Sequence, residues 1–246
     1  MATFVLVHGA WHGGWCWWKV EPLLRRSGNS VYSPSLTGMG ERAHLARYIG
    51  PSAIDLDLHI KDVQGLLVSE GLEDVVLVGH AYAGMVITGV AEICPQRINH
   101  LVYVNGVVPR DGEAMVDQLD AVRGPEFTAR IRAAIANGEG FLPPPSTADE
   151  IQRRWAIADP EDQSWVLPRL CPQPSASFAQ PVRLGSSEAQ DIPRSFILSS
   201  ESGFDSVAER ARQSNWGLHQ LDTGHDPMIT KPQDVAEILL KIAGGA

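Results

Sequence analysis

Val75-Val-Leu-Val-Gly-His-Ala-Tyr-Ala-Gly-Met-Val86 runs from four consecutive aliphatic residues through a cluster of small ones into a second apolar stretch. Such a run reads as a strand buried on both faces, and the small residues after it let the chain turn sharply into a helix. A strand-to-helix turn of this kind is the setting in which G-x-S-x-G lifts a serine above the end of a parallel sheet. Here the serine position holds Ala81, with Gly79 two residues before it and Ala83 and Gly84 after. A methyl group has no proton to release and no lone pair with which to attack a carbonyl. The stretch is a nucleophile's mount without a nucleophile.

The same alternation extends outward. Phe4 to Val7, Leu101 to Val104, Phe196 to Leu198 and Trp216 to Leu221 read as further short strands. Between the first strand and the turn, Leu56, Ile60, Val63 and Leu67 recur at helical spacing, as Val86, Val90 and Ile93 do after it. The latter helix is expected to stop near Cys94, because Pro95 disfavours helical backbone in the residue before it. Strands alternating with helices predict an α/β fold, a mostly parallel sheet with helices on both faces. The pattern breaks from about residue 109 to 185, where Pro143-Pro144-Pro145 sits between helical-looking stretches at 127–137 and 147–158 and no convincing strand occurs. This segment is expected to be a small helical cap inserted into one domain spanning 1–246.

Composition narrows the function classes. With 20 basic and 29 acidic residues the formal net charge is -9, and no Lys/Arg-rich face is visible, so nucleic acid is not an expected partner. No run approaches the roughly 20 apolar residues of a membrane span. Cys16, Cys94 and Cys171 are widely spaced and odd in number, unlike a disulfide framework or zinc site. A cytoplasmic protein is expected, with assembly left open as far as a homodimer.

Three segments carry candidate chemistry. His8-Gly-Ala-Trp-His-Gly-Gly-Trp15 follows the first strand, and the backbone N–H of Ala10 there, with that of Tyr82 after the turn, can point at a developing oxyanion. Leu221-Asp-Thr-Gly-His-Asp-Pro-Met228 follows the last strand and places His225 as general base. An acid should lie between them in chain order. Glu201 is preferred because it is nearer the end of its strand, with Asp205 as the alternative, while Asn105 after the Leu101–Val104 strand supplies no charge. His8 and His12 sit on a loop and need not share a face, His59 reads as surface or packing, and the His80 side chain is expected to point away from the site. No metal or cofactor is expected. Trp11 in the first loop, with Trp155, Trp165 and Phe178 from the cap, are the candidate substrate-contacting aromatics, and Phe141 lies in the same cap.

These motifs together resemble the α/β-hydrolase superfamily, and within it the small-esterase branch of plant methylesterases, hydroxynitrile lyases and bacterial esterase-like proteins. The likeness covers roughly residues 1–110 and 190–246. It implies that Ala81 occupies the serine site, His225 the base site, and Ala10 and Tyr82 the oxyanion N–H groups, and that the branch's acid position falls at or near Ser202. The branch's lyases use a lysine just after the histidine and a threonine in the first loop; Asp226 and Gly9 stand there instead, so hydrolysis is expected over lyase chemistry. The expected reaction is acyl transfer on a small, mostly apolar ester, carbamate or activated amide, in a chain carrying a serine-to-alanine replacement at 81. A natural non-catalytic binding protein is the alternative.

Overall fold

The computed structural model describes residues 1–245. Six strands form one parallel sheet: β1 (Thr3–Val7), β2 (Ser30–Tyr32), β3 (Val75–His80), β4 (Ile98–Val104), then, beyond the short strands β5 (Phe141–Leu142) and β6 (Gln173–Pro174), β7 (Arg194–Ser199) and β8 (Gly217–Leu221). Their spatial order is β2-β1-β3-β4-β7-β8, and every neighbouring pair is parallel. The chain leaves β1 for β2 on one side and returns to β3 on the other. That reversal opens a crevice at the carboxyl ends of β1 and β3, where ligands of open α/β sheets bind.

The strands are apolar at nearly every position because both faces are covered. On one face Val5, Val7, Leu77, Leu101 and Phe196 pack with Leu56, Ile60, Val63, Val86 and Val90 from the helices Leu56–Ser69 and Ala83–Ile93. On the other, Phe4, Leu6, Val76, Val78 and Val102 meet Trp17, Leu24, Val235 and Leu239. The helix after the turn ends at Ile93, one residue before Cys94 as the proline requires.

Two features depart from the sequence reading. β2 is a three-residue edge strand, too short to carry a periodic signal. The segment between β4 and β7 does contain strands: Phe141–Leu142 pairs antiparallel with Gln173–Pro174, a ribbon of two residues a side that no alternation can announce. Around it lie the helices Met115–Arg123, Pro125–Ala136, Ala148–Trp155 and Pro160–Val166.

His8, directly after β1, is fully buried and ties the first loop to the sheet. Its Nδ1–H donates to the Gly9 carbonyl (2.8 Å), leaving Nε2 to accept from the Leu36 N–H (3.0 Å). Burial, with nearby histidines adding to it, pulls its pKa from 6.5 down to about 3. A proton on Nε2 would also cost the Leu36 bond. The unfolded chain therefore binds a proton below pH 6.5 that the fold refuses, so stability falls with falling pH between about 6.5 and 3. At pH 5 the contribution is about 2 kcal/mol, from about 1.4 kcal/mol per pKa unit. Urea unfolding should show the difference between pH 7 and pH 5 shrinking by about that amount in His8→Gln; equal differences in parent and variant would rule the assignment out.

Candidate active site

Ala81 stands at the end of β3 with φ +50°, a left-handed backbone that disfavours any side chain by roughly 1–2 kcal/mol. The surroundings hold it there. Its N–H donates to the Val104 carbonyl (3.1 Å), and its own carbonyl accepts from the N–H groups of Gly84 and Val107 (both 3.1 Å). Gly84 has no alternative, since a Cβ there would lie 2.0 Å from the Val107 carbonyl oxygen. The elbow is thus complete in backbone, and the methyl of Ala81 lies on the wall of a cavity of about 420 Å³.

Ala10 and Tyr82 line the same cavity. Neither backbone N–H has a hydrogen-bond partner among the described residues, which leaves both available to an oxygen in the cavity. The first loop is fixed by Trp11, itself left-handed at φ +64°, whose N–H donates to Gln173 Oε1 (3.2 Å) and whose indole Nε1–H donates to the Leu142 carbonyl (3.0 Å). Tyr82 is fixed through its hydroxyl, which donates to His59 Nδ1 (2.9 Å), while His59 Nε2–H donates to the Thr37 carbonyl (3.0 Å). His59 is therefore a buried support for Tyr82, and burial pushes the Tyr82 hydroxyl well up from its ordinary pKa.

His225 enters from the loop after β8. It is buried, stacks on Phe204 (centroids 5.3 Å apart, planes 17°) and lines the cavity beside Ala81. Burial, then the positive charge of Arg123, holds its pKa well below 6.5, so the ring is neutral and fit to accept a proton. Its backbone is held on both sides: the N–H donates to the Trp155 carbonyl (2.9 Å), and its carbonyl accepts from Asn105 Nδ2 (2.9 Å) and His80 Nε2 (3.0 Å). Asn105 also accepts the Ser199 N–H (2.8 Å), so it knits β4 to β7.

The neighbouring Asp226 is fully buried. Its two oxygens lie 3.3 Å from His12 Nε2 and 3.2 Å from His80 Nε2. Burial alone would raise this carboxyl, but His12 and His80 hold it well below the ordinary carboxylate range. The expectation that His80 points away from the site is corrected here, since its ring lines the cavity and packs 4.8 Å from that of His225. His80, His225 and Asp226 present ligand-type atoms within 4.8 Å of one another, a grouping that the sequence reading, which weighed His8, His12, His59 and His80, did not make. Its signal was the adjacency of Asp226 to His225.

Nδ1 of His225, where a triad acid would accept, has no partner among the described residues. Glu201 is exposed and Asp205 begins the exposed end of the helix Asp205–Gln213, beside Ser200 and Asp222 in a separate depression. Neither carboxylate reaches the histidine. Ser202, one residue beyond Glu201, points inward instead, its hydroxyl donating to the Ser199 carbonyl (2.7 Å).

Of the cap aromatics, Trp155 and Phe178 wall the cavity with Trp11, at centroid distances of 6.4 and 6.0 Å from it. Trp165 does not line the cavity but lies between Trp15 (5.1 Å) and Trp18 (4.9 Å), and Phe141 is exposed on the ribbon. Met115, Leu119 and Val122 complete the roof. No helix among the described residues is long and apolar enough to cross a membrane, and all three cysteines are free.

Comparison with known proteins agrees with this geometry. A carbendazim hydrolyzing esterase of Nocardioides sp. (strain SG-4G) is 37% identical over 97% of this chain and 98% of its own. Methylesterase 2 of Arabidopsis thaliana is 27% identical over 98% and 95%. Among solved structures, an extracellular alpha/beta-hydrolase from a Paenibacillus species superposes with a TM-score of 0.80 at 22% identity over 98% of both chains. A methylesterase from Arabidopsis does so with a TM-score of 0.76 at 25% identity over 100% of both. Residues 4–238 match the alpha/beta hydrolase family, and the chain belongs to it.

Proposed function

We propose that the cavity is the acyl site of an esterase for small carboxylic esters or carbamates, silenced in this chain at residue 81. The observation that carries the reading is one constellation: the methyl of Ala81, the neutral His225, and two free N–H groups at Ala10 and Tyr82 on the wall of one cavity. A carbonyl with its oxygen on those N–H groups would lie where a residue-81 hydroxyl attacks, with His225 placed to take the hydroxyl proton and return it to the leaving group. The 37% identity to an esterase named for a carbamate-type substrate supports extending the substrate class beyond simple esters. With alanine at 81 the covalent step has no nucleophile, and loss of that group alone costs about 10⁶-fold in kcat. What remains is binding and oxyanion stabilisation, about 10³ to 10⁴-fold over water.

A second reading, a natural binding protein, draws support from the unpartnered Nδ1 of His225. One replacement at 81 does not account for it, because the role of the acid is also unfilled.

Ala81→Ser should acquire measurable hydrolysis of 4-nitrophenyl acetate and phenyl N-methylcarbamate. Ser202→Asp added to it should raise kcat/KM further by roughly 10² to 10⁴, the scale on which an orienting carboxylate acts. His225→Ala in the double variant should erase both gains. If the double variant, shown folded by circular dichroism, is no faster than the parent on either compound, the esterase reading is wrong.

The pH profile gives a second check. The base works only when neutral, so activity of Ala81→Ser should be lost as pH falls through the depressed pKa of His225, with an acid limb below 6.5. An aspartate at 202 favours the imidazolium and should move that limb upward. An acid limb that stays put in the double variant would show that residue 202 does not touch the histidine.

A further inference from the structure

The protein carries a net charge of -9, yet four of the five Asp, Glu, Lys and Arg side chains on the cavity wall are arginines: Arg123, Arg130, Arg153 and Arg154, against Glu150. Arg130 and Arg153 are exposed at the mouth. Arg154 is half-buried and lies 4.0 Å from Glu150, the only carboxylate within salt-bridge distance of any of them among the described residues. The field of the buried Asp226 also reaches Arg123, though Asp226 faces His12 and His80. Arg123 lies deepest. No carboxylate comes within salt-bridge distance of it among the described residues. Its Nη1–H groups reach only the carbonyls of Arg154 (3.3 Å) and Ser202 (3.5 Å), long contacts, and its guanidinium lies over Phe204 at 5.8 Å, on whose ring His225 also stacks. A guanidinium offers five N–H donors in a planar fork. Most of those on Arg123 have no acceptor, in a place where desolvated charge is expensive unless paired.

Resting on the reading of this cavity as the ligand site, we infer that its ligand is a small organic carboxylate, met at the mouth by Arg130 and Arg153 and paired in the cavity with Arg123. A positive wall in an acidic protein draws an anion to this one opening. A planar carboxylate matches the guanidinium fork with two parallel hydrogen bonds, geometry that Lys could not supply. Met115, Leu119, Phe178 and Trp155 then take the hydrocarbon body, and the cavity of about 420 Å³ limits it to an aryl or short alkyl acid. The substrate class is accordingly narrower than a mostly apolar ester: a carbonyl compound that also bears a carboxylate.

The test compares 1-naphthylacetate with its methyl ester, a pair of nearly equal size differing in charge, by calorimetry on the parent protein at pH 7. The acid should bind at least tenfold more tightly than the ester. Arg123→Gln should abolish that advantage while leaving the ester's Kd unchanged, Arg123→Lys should retain part of it, and Arg153→Gln should retain most. Circular dichroism and thermal melts establish that each variant is folded. Equal binding of acid and ester by the parent, or an advantage that survives Arg123→Gln, overturns the carboxylate assignment and leaves the cavity as a site for neutral esters. Binding of neither compound overturns the assignment together with the reading of the cavity on which it rests.

Discussion

One buried carboxylate organises the site. Asp226 comes from the loop after β8, and its two oxygens face His12 from the loop after β1 and His80 from the end of β3. The loops that carry Ala10, Ala81 and His225 therefore share a single electrostatic centre. Removing one partner from such a buried group typically costs about 3–5 kcal/mol, because the remaining charge is left without compensation. The parallel sheet sets the three strand ends side by side, but it does not dictate how the loops beyond them lean on each other. Asp226 ties the loop after β8 to His12 and to His80.

The scaffold is indifferent to the chemistry at position 81. The left-handed turn is held by Val104, Gly84 and Val107 through backbone groups alone, so serine and alanine impose the same demands on it up to Cβ. Neither the elbow, the first loop nor the packing of Tyr82 against Phe178 depends on an oxygen at 81. A chain with alanine there is therefore compatible with the family fold. The loop after β7 differs in kind: Ser202 and Glu201 are adjacent, yet one faces the interior and the other the solvent.

The sheet was legible because strands covered on both faces are written as unbroken apolar runs, as in Val75–Val78, and because the turn after them needs small residues. The place of His225 on the cavity wall was legible from its Gly-His turn after the last strand. Elements of two or three residues, β2 and the β5–β6 ribbon, carry no period and left no trace. Strand-end position alone does not say which way a loop side chain faces, and Glu201 and Asp205 both turn outward, away from His225. His80 was misread because alternation along a strand describes the sheet faces and is silent about a polar layer beneath the crevice. That layer exists only once His12 and Asp226 arrive from strands far apart in sequence. Trp165 belongs to the same class: its residue type suits a pocket, and only tertiary contact with Trp15 and Trp18 holds it off the cavity wall.

The bond from the His225 N–H to the Trp155 carbonyl joins the base loop to the C-terminal end of the cap helix Ala148–Trp155. Gly224 makes the contact so close that a Cβ there would sit 2.1 Å from the same oxygen. Trp155 also forms part of the cavity wall. Roof and base are consequently one mechanical part: raising the end of that helix to admit or release a molecule must either break this bond or draw the imidazole away from residue 81. Any displacement of that helix end is felt at His225 through a single backbone bond.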